Sequence, residues 1–246
     1  MLFRSTPGAA AAFAAPLFSD GASDVYVQND RVRLAFAPEA GARIALLEGG
    51  TADNAATSIG LLRDAVDPPP APTSRDYIAA YTHPMVAGTF NRTYDCRVAS
   101  SAAASASVSC TYAAPDLPDG GAHFTRVLTL AAGESSVVVD ETYAPNDGSS
   151  SARLSSISGF AFVPGDELID PPNATYVGIL HGHRLAWIAW RPDDVANSVV
   201  CASRGTQIVT LVFATRSVEY RVGLAPVTDA AEALRLLQAN PATRSK

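Results

Sequence analysis

The alternation of apolar and polar residues predicts strands along nearly the whole chain. Residues 25–27 precede a turn at Asn29-Asp30, and Val32, Leu34 and Phe36 then alternate with Arg31, Arg33 and Ala35. A period of two marks a half-buried strand. Pro38-Glu39-Ala40-Gly41 ends it, and residues 42–47 form the next, closed by Gly49-Gly50. Paired segments recur at 90–98 and 105–112 around a small-residue turn, and at 124–130 (FTRVLTL) and 136–143 (SVVVDETY) around Ala132-Gly133-Glu134. Residues 154–163, 176–181, 184–190, 198–202, 207–214 and 218–224 continue the series. Strands at roughly 8–12-residue intervals, with turn signals between them, predict an all-β antiparallel sandwich or barrel. Only residues 229–238 (DAAEALRLLQ) read as helix, capped by Thr228 or Asp229, with Ala233, Leu234 and Leu237 on one face. The absence of an alternating strand–helix rhythm argues against a parallel nucleotide-binding fold.

Two stretches fall outside this pattern. Residues 67–74 (DPPPAPTS) carry four prolines, which exclude helix and central strand. Only about forty folded residues precede them, too few for an independent core, so they read as a long loop within one domain. Residues 1–22 hold one early charge at Arg4, small apolar residues and an Ala-x-Ala pattern, interrupted by Pro7, Gly8 and Pro16. They read as a flexible leader or a weak signal-like segment, leaving a single domain over 23–246.

Composition narrows the classes further. The 246 residues are 48% hydrophobic and 17% charged, with a formal net charge of -6. That is too apolar for a disordered chain. An acidic balance with scattered arginines argues against nucleic-acid binding, and no apolar run suits a membrane span. The three cysteines, Cys96, Cys110 and Cys201, lack metal-site spacing. If the hairpin turns at Ala103, Cys96 faces Cys110. The pair is then either a disulfide, which needs an oxidising compartment, or two half-buried thiols. With the signal-like leader, this leans the location towards the periplasm or the exterior without fixing it.

The order of motifs resembles the galactose mutarotase-like β-supersandwich, the fold of aldose epimerases and of accessory domains in polysaccharide-active enzymes. Residues 29–47 resemble its opening hairpin and residues 60–64 (GLLRD) the short segment after it. Residues 124–143 resemble its central strand pair, followed by Asn146, and residues 158–166 (SGFAFVPGD) the strand with a Gly-Phe-His-Pro-type motif. The family's epimerases use a histidine acid and a glutamate base on either side of the sugar ring. Here Ala161 follows Gly159-Phe160, and Leu224-Ala225-Pro226 stands where a Leu-Glu-Pro-like segment is expected. The resemblance therefore implies a sugar-binding or structural module without epimerase activity, unless Glu219 or His181 has taken over proton transfer.

Several residues are candidates for a carbohydrate cleft on the concave face of one sheet. Arg63 and Asp64 can clasp vicinal hydroxyls, or form a strand-end ion pair. His83 and His123 lie next to loops, as sugar ligands or solvent-facing side chains. His181-Gly182-His183 is either two imidazoles on one strand face or a polar turn. Two histidines do not complete a metal site, and no cofactor motif is present. Trp187 and Trp190, three apart, point to opposite faces; both can be core, or Trp187 can stack on a sugar. Asp140 and Glu141 also face opposite ways, so only one can meet a cleft. Asn91-Arg92-Thr93 and Asn173-Ala174-Thr175 match a glycosylation pattern that carries little meaning in a chain of bacterial composition. Three functions stay open: a carbohydrate-binding or structural mutarotase-like domain lacking epimerase activity, an active aldose or sugar epimerase with shifted catalytic residues, and a non-sugar structural or protein-interaction β-sandwich.

Overall fold

A computed structural model of the chain describes residues 8–16, 23–49, 58–59, 80–84, 92–114, 122–146, 155–161, 167–203, 206–213 and 216–239. Within them lie three antiparallel sheets and one α-helix. The first sheet runs β1 (Ala11–Ala15), β2 (Asp24–Gln28), β3 (Val32–Ala37), β4 (Arg43–Gly49) and β5 (Ser58–Ile59), in chain order. Among the later strands are β6 (Ala80–Pro84), β7 (Asp95–Ala102), β8 (Ser105–Ala114), β9 (Ala122–Ala131), β10 (Ser136–Pro145) and β11 (Ser155–Ala161). They continue with β12 (Glu167–Ile169), β13 (Tyr176–His181), β14 (Arg184–Trp190), β15 (Val195–Ser203), β16 (Thr206–Phe213) and β17 (Ser217–Pro226), before helix α1 (Ala230–Ala239). The large sheet has the order β12-β13-β14-β17-β10-β9-β8-β7, and the third sheet β15-β16-β11-β6.

The predicted period of two is what builds the core. On β9, Phe124, Arg126, Leu128 and Leu130 are buried, while the residues between them are half-buried. Val137, Val139, Glu141 and Tyr143 do the same on β10. The apolar side chains among them pack with Val25, Val27, Leu34, Phe36, Ile44 and Leu47 of the first sheet in one cluster. This is the interior of a sandwich, two sheets burying their inner faces against each other. Asn29 ties the layers at one end. Its amide donates to the carbonyls of Ala131 (3.1 Å) and Glu134 (2.8 Å), while its oxygen accepts from the Arg31 and Val32 amides.

Four strands went unread in the sequence, of which β1 changes the expected boundary. It lies inside residues 1–22, which the sequence set apart as a leader. β1 pairs with β2 from Ala11↔Gln28 to Ala15↔Asp24, and Ala10 and Ala12 are buried in the main core. It also meets the β7–β8 hairpin, where the Ala10 amide donates to the Ala103 carbonyl (3.0 Å) and the Ala12 amide to Ser101 Oγ (3.1 Å). Alanines give small, weakly apolar surfaces, so this strand carries little hydrophobic signal. The hairpin turns as expected, and Cys96, directly opposite Cys110, forms a disulfide with it.

Helix α1 covers part of the outer face of the large sheet. Ala233 and Leu237 pack in a second cluster with Tyr176, Leu180, Leu185 and Trp187. Its N-terminus is capped as predicted: Asp229 Oδ1 accepts the Glu232 amide (2.8 Å), and Glu232 reaches back to the Thr228 amide (2.6 Å).

Candidate functional site

The six expected ligands do not form one described cluster. Arg63 and Asp64 lie outside the described residues. His83 sits on β6 of the third sheet, opposite Ile157 of β11. His123 is exposed on β9, opposite Ala113 and Ala144. His181 ends β13, opposite Arg184, and Gly182 and His183 form the polar turn after it. His183 Nδ1 lies 3.1 Å from the Thr228 carbonyl at the start of α1.

Trp187 and Trp190 do point to opposite faces, and both are buried, at 2% and 3% exposure. Trp190 belongs to the main core and Trp187 to the cluster under α1. The Trp187 ring lies against Gly223 of β17, where a Cβ would come within 2.3 Å of Cε2 and Cζ2. The ring is therefore packed rather than an open platform for stacking on a sugar. Glycine is required at 223 because the indole occupies its side-chain space.

Charge gathers on the middle strands β9, β10 and β17, differently on the two faces. Inside, Glu141 Oε1 accepts from Arg126 Nε (3.0 Å) and Nη2 (2.7 Å) and from the Tyr220 hydroxyl (2.6 Å). Arg126 also donates to the Ala42 carbonyl and lies over the Phe36 ring, 4.7 Å from its centroid. Burial works against the guanidinium charge, but Glu141 and Tyr220 outweigh it and hold Arg126 above its ordinary pKa. This set joins the large sheet to the turn before β4, where Gly41 and Ala42 have φ of 75° and 48°.

Outside, Asp140 stands directly opposite Glu219. Glu219 pairs with Arg191 at 2.8 Å, and its amide donates to Asp194 Oδ2 at 3.5 Å. Burial pushes the Asp140 carboxyl above its ordinary value, Glu219 and Asp194 add to that, and Arg191 opposes it. A carboxyl raised by burial, directly opposite a second carboxylate that is paired with an arginine, is suited to acid–base exchange. Arg191, Asp194 and Arg221 were missed as site candidates. Their signal is visible in retrospect: Glu219 and Arg221 alternate with buried Val218, Tyr220 and Val222, and so line the outer face.

No histidine among the described residues stands beside these carboxylates. His181 is opposite Arg184, which is opposite Pro226, at the other end of β17 from Glu219. Seven residues of strand separate positions 219 and 226, about 23 Å. His181 and Glu219 therefore cannot serve one sugar ring. Among the described residues, no group of three His, Cys, Asp or Glu side chains could hold a metal ion, and no helix is long and apolar enough to cross a membrane.

Neither a protein-family model nor a characterised protein sequence matches the chain. Its architecture does match solved structures. A galactose mutarotase-like protein from Clostridium acetobutylicum superposes with a TM-score of 0.54 at 8% identity, over 88% of this chain and 98% of that one. A second, from Lactobacillus casei, gives 0.52 at 12% identity over 82% and 100%. The fold is galactose mutarotase-like. A TPR-domain containing protein from Parabacteroides distasonis gives a TM-score of 0.62 at 9% identity over 91% of this chain, which spans only 50% of that protein. The mutarotase-like fold expected from the sequence holds, at low sequence identity.

Proposed function

We propose that this mutarotase-like domain binds carbohydrate without epimerising it. The observation that carries the reading is the fold match over most of the chain to galactose mutarotase-like proteins. Ala161 at the end of β11, where the resemblance expects a histidine, supports the absence of epimerase chemistry. Alanine neither donates nor accepts a proton. Isothermal titration against neutral and acidic mono- and oligosaccharides tests the reading. Saturable heat with at least one member is expected, and no heat with any member overturns it.

A second reading, an epimerase with shifted catalytic residues, draws on Asp140 and Glu219. Their opposed carboxylates, one held up by burial and one paired with Arg191, are the described groups best arranged for acid–base work. Polarimetry on freshly dissolved glucose and galactose separates the two readings. Mutarotation faster than in buffer, and lost in Glu219→Gln, would establish the second.

A further inference from the structure

Resting on the carbohydrate reading, we propose that Trp187 and Arg221 form a subsite for the carboxylate of an acidic sugar. Both side chains bury an N–H that has no acceptor, at Trp187 Nε1 and Arg221 Nε. These groups can only donate, and a buried donor left unpaired costs about 1–3 kcal/mol. An acceptor oxygen brought by a ligand removes that penalty.

The two donors share one place. Trp187 is opposite Gly223, and Arg221 lies two residues before Gly223 on the same strand. Residues two apart on a strand face the same way, about 7 Å apart. The indole edge overhangs β17, since a Cβ on Gly223 would lie 2.8 Å from Trp187 Nε1. Helix α1 packs on β12, β13 and β14, so this edge projects towards the strand that carries Arg221. The row continues on β10 with Ser136, opposite Gly223 and 5% exposed.

Charge selects the ligand. Arg191 is engaged with Glu219 and is the cation that acts on Asp140, whereas Arg221 is opposite the neutral Val138 and Ala189. One guanidinium beside one neutral N–H suits a monoanion with two acceptor oxygens. A doubly charged phosphate would be repelled by Asp140 and Glu219 one step along the sheet. A uronate supplies the monoanion on a sugar ring.

The test follows the indole N–H signals of the 15N-labelled chain, which has two tryptophans. Trp187→Phe identifies the Trp187 signal, or Trp190→Phe does so by elimination if the first variant does not fold. D-galacturonate, D-galactose and sodium acetate are titrated separately, with heats measured in parallel. Galacturonate should move the Trp187 signal downfield saturably and bind about tenfold tighter than galactose, near 1.4 kcal/mol. Arg221→Gln should bring that preference close to parity, and Arg221→Lys should restore only part of it. Equal binding of the two sugars, or an unchanged preference in Arg221→Gln, overturns the subsite and leaves the carbohydrate reading standing. Acetate binding as tightly as galacturonate also overturns it, as an anion site without sugar recognition. No signal change and no heat with either sugar overturns the subsite, and the carbohydrate reading falls with it only if the full saccharide panel also gives no heat.

Discussion

Asp140 and Glu141 are neighbours in sequence, yet the strand pleat sends them to opposite sides of the large sheet. Glu141 enters a closed set in which Arg126, Tyr220 and the Ala42 carbonyl meet one another's hydrogen-bonding needs. Asp140 enters an open one, where a second carboxylate stands opposite and nearby donors lack acceptors. Charge in the inner set joins two layers. Charge in the outer set is arranged against its own comfort, the condition under which a ligand gains most from binding. A one-residue step along β10 thus separates a structural use of charge from a candidate functional one.

The largest expected effect comes from breaking the inner set. Arg126→Met leaves the Glu141 carboxylate buried without its cation, and should cost about 3–5 kcal/mol in urea unfolding. The double variant Arg126→Met/Glu141→Leu should recover most of that loss, because two apolar groups leave no stranded charge. A single variant costing under about 1 kcal/mol would erase the contrast between the faces. Next in size is the β7–β8 staple. Cys96→Ser/Cys110→Ser releases a loop with a sequence separation of 14, worth about 3 kcal/mol in the chain-entropy account, read as a lower urea midpoint.

Gly223→Ala sharpens the description of the outer face. The added methyl collides with the Trp187 ring, so about 1–3 kcal/mol of stability should go, together with a change in tryptophan emission. The smallest effect belongs to Asp140. Its carboxyl is held above the ordinary 3.8 by burial and by Glu219, so ionising it opposes folding. Its contribution is fully present below that ordinary value and is lost as pH rises through the folded value. Asp140→Asn should therefore be more stable than the parent at neutral pH, and the advantage should vanish below about pH 3.8. Thermal melts across that range measure it, and a variant less stable at pH 7 would refute the assigned direction.

Most of the architecture was legible because its strands alternate strongly. Residues 124–130 and 136–143 became β9 and β10 with register to match, and the helix expected at 229–238 appeared one residue later. What stayed hidden was weak in local signal. β1 is almost all alanine, and β5 and β12 are two and three residues long. The site was less legible, because partners such as Asp140 and Glu219 are set by cross-strand register between distant segments. The inner set did leave a trace: Arg126 and Glu141 fall in phase with the buried residues of their strands, where a charge demands a partner.

Strand β1 also has a consequence for the order of assembly on the ribosome. It emerges before almost everything it touches, and its Ala103 partner follows 93 positions later. At about 5–20 residues per second, the AAFAA segment waits roughly 5–20 s for that hairpin to be made. Pairing with β2 can form early in this interval, but the other edge of this uncharged ribbon stays open, a natural client for a holding chaperone until the hairpin it must join exists.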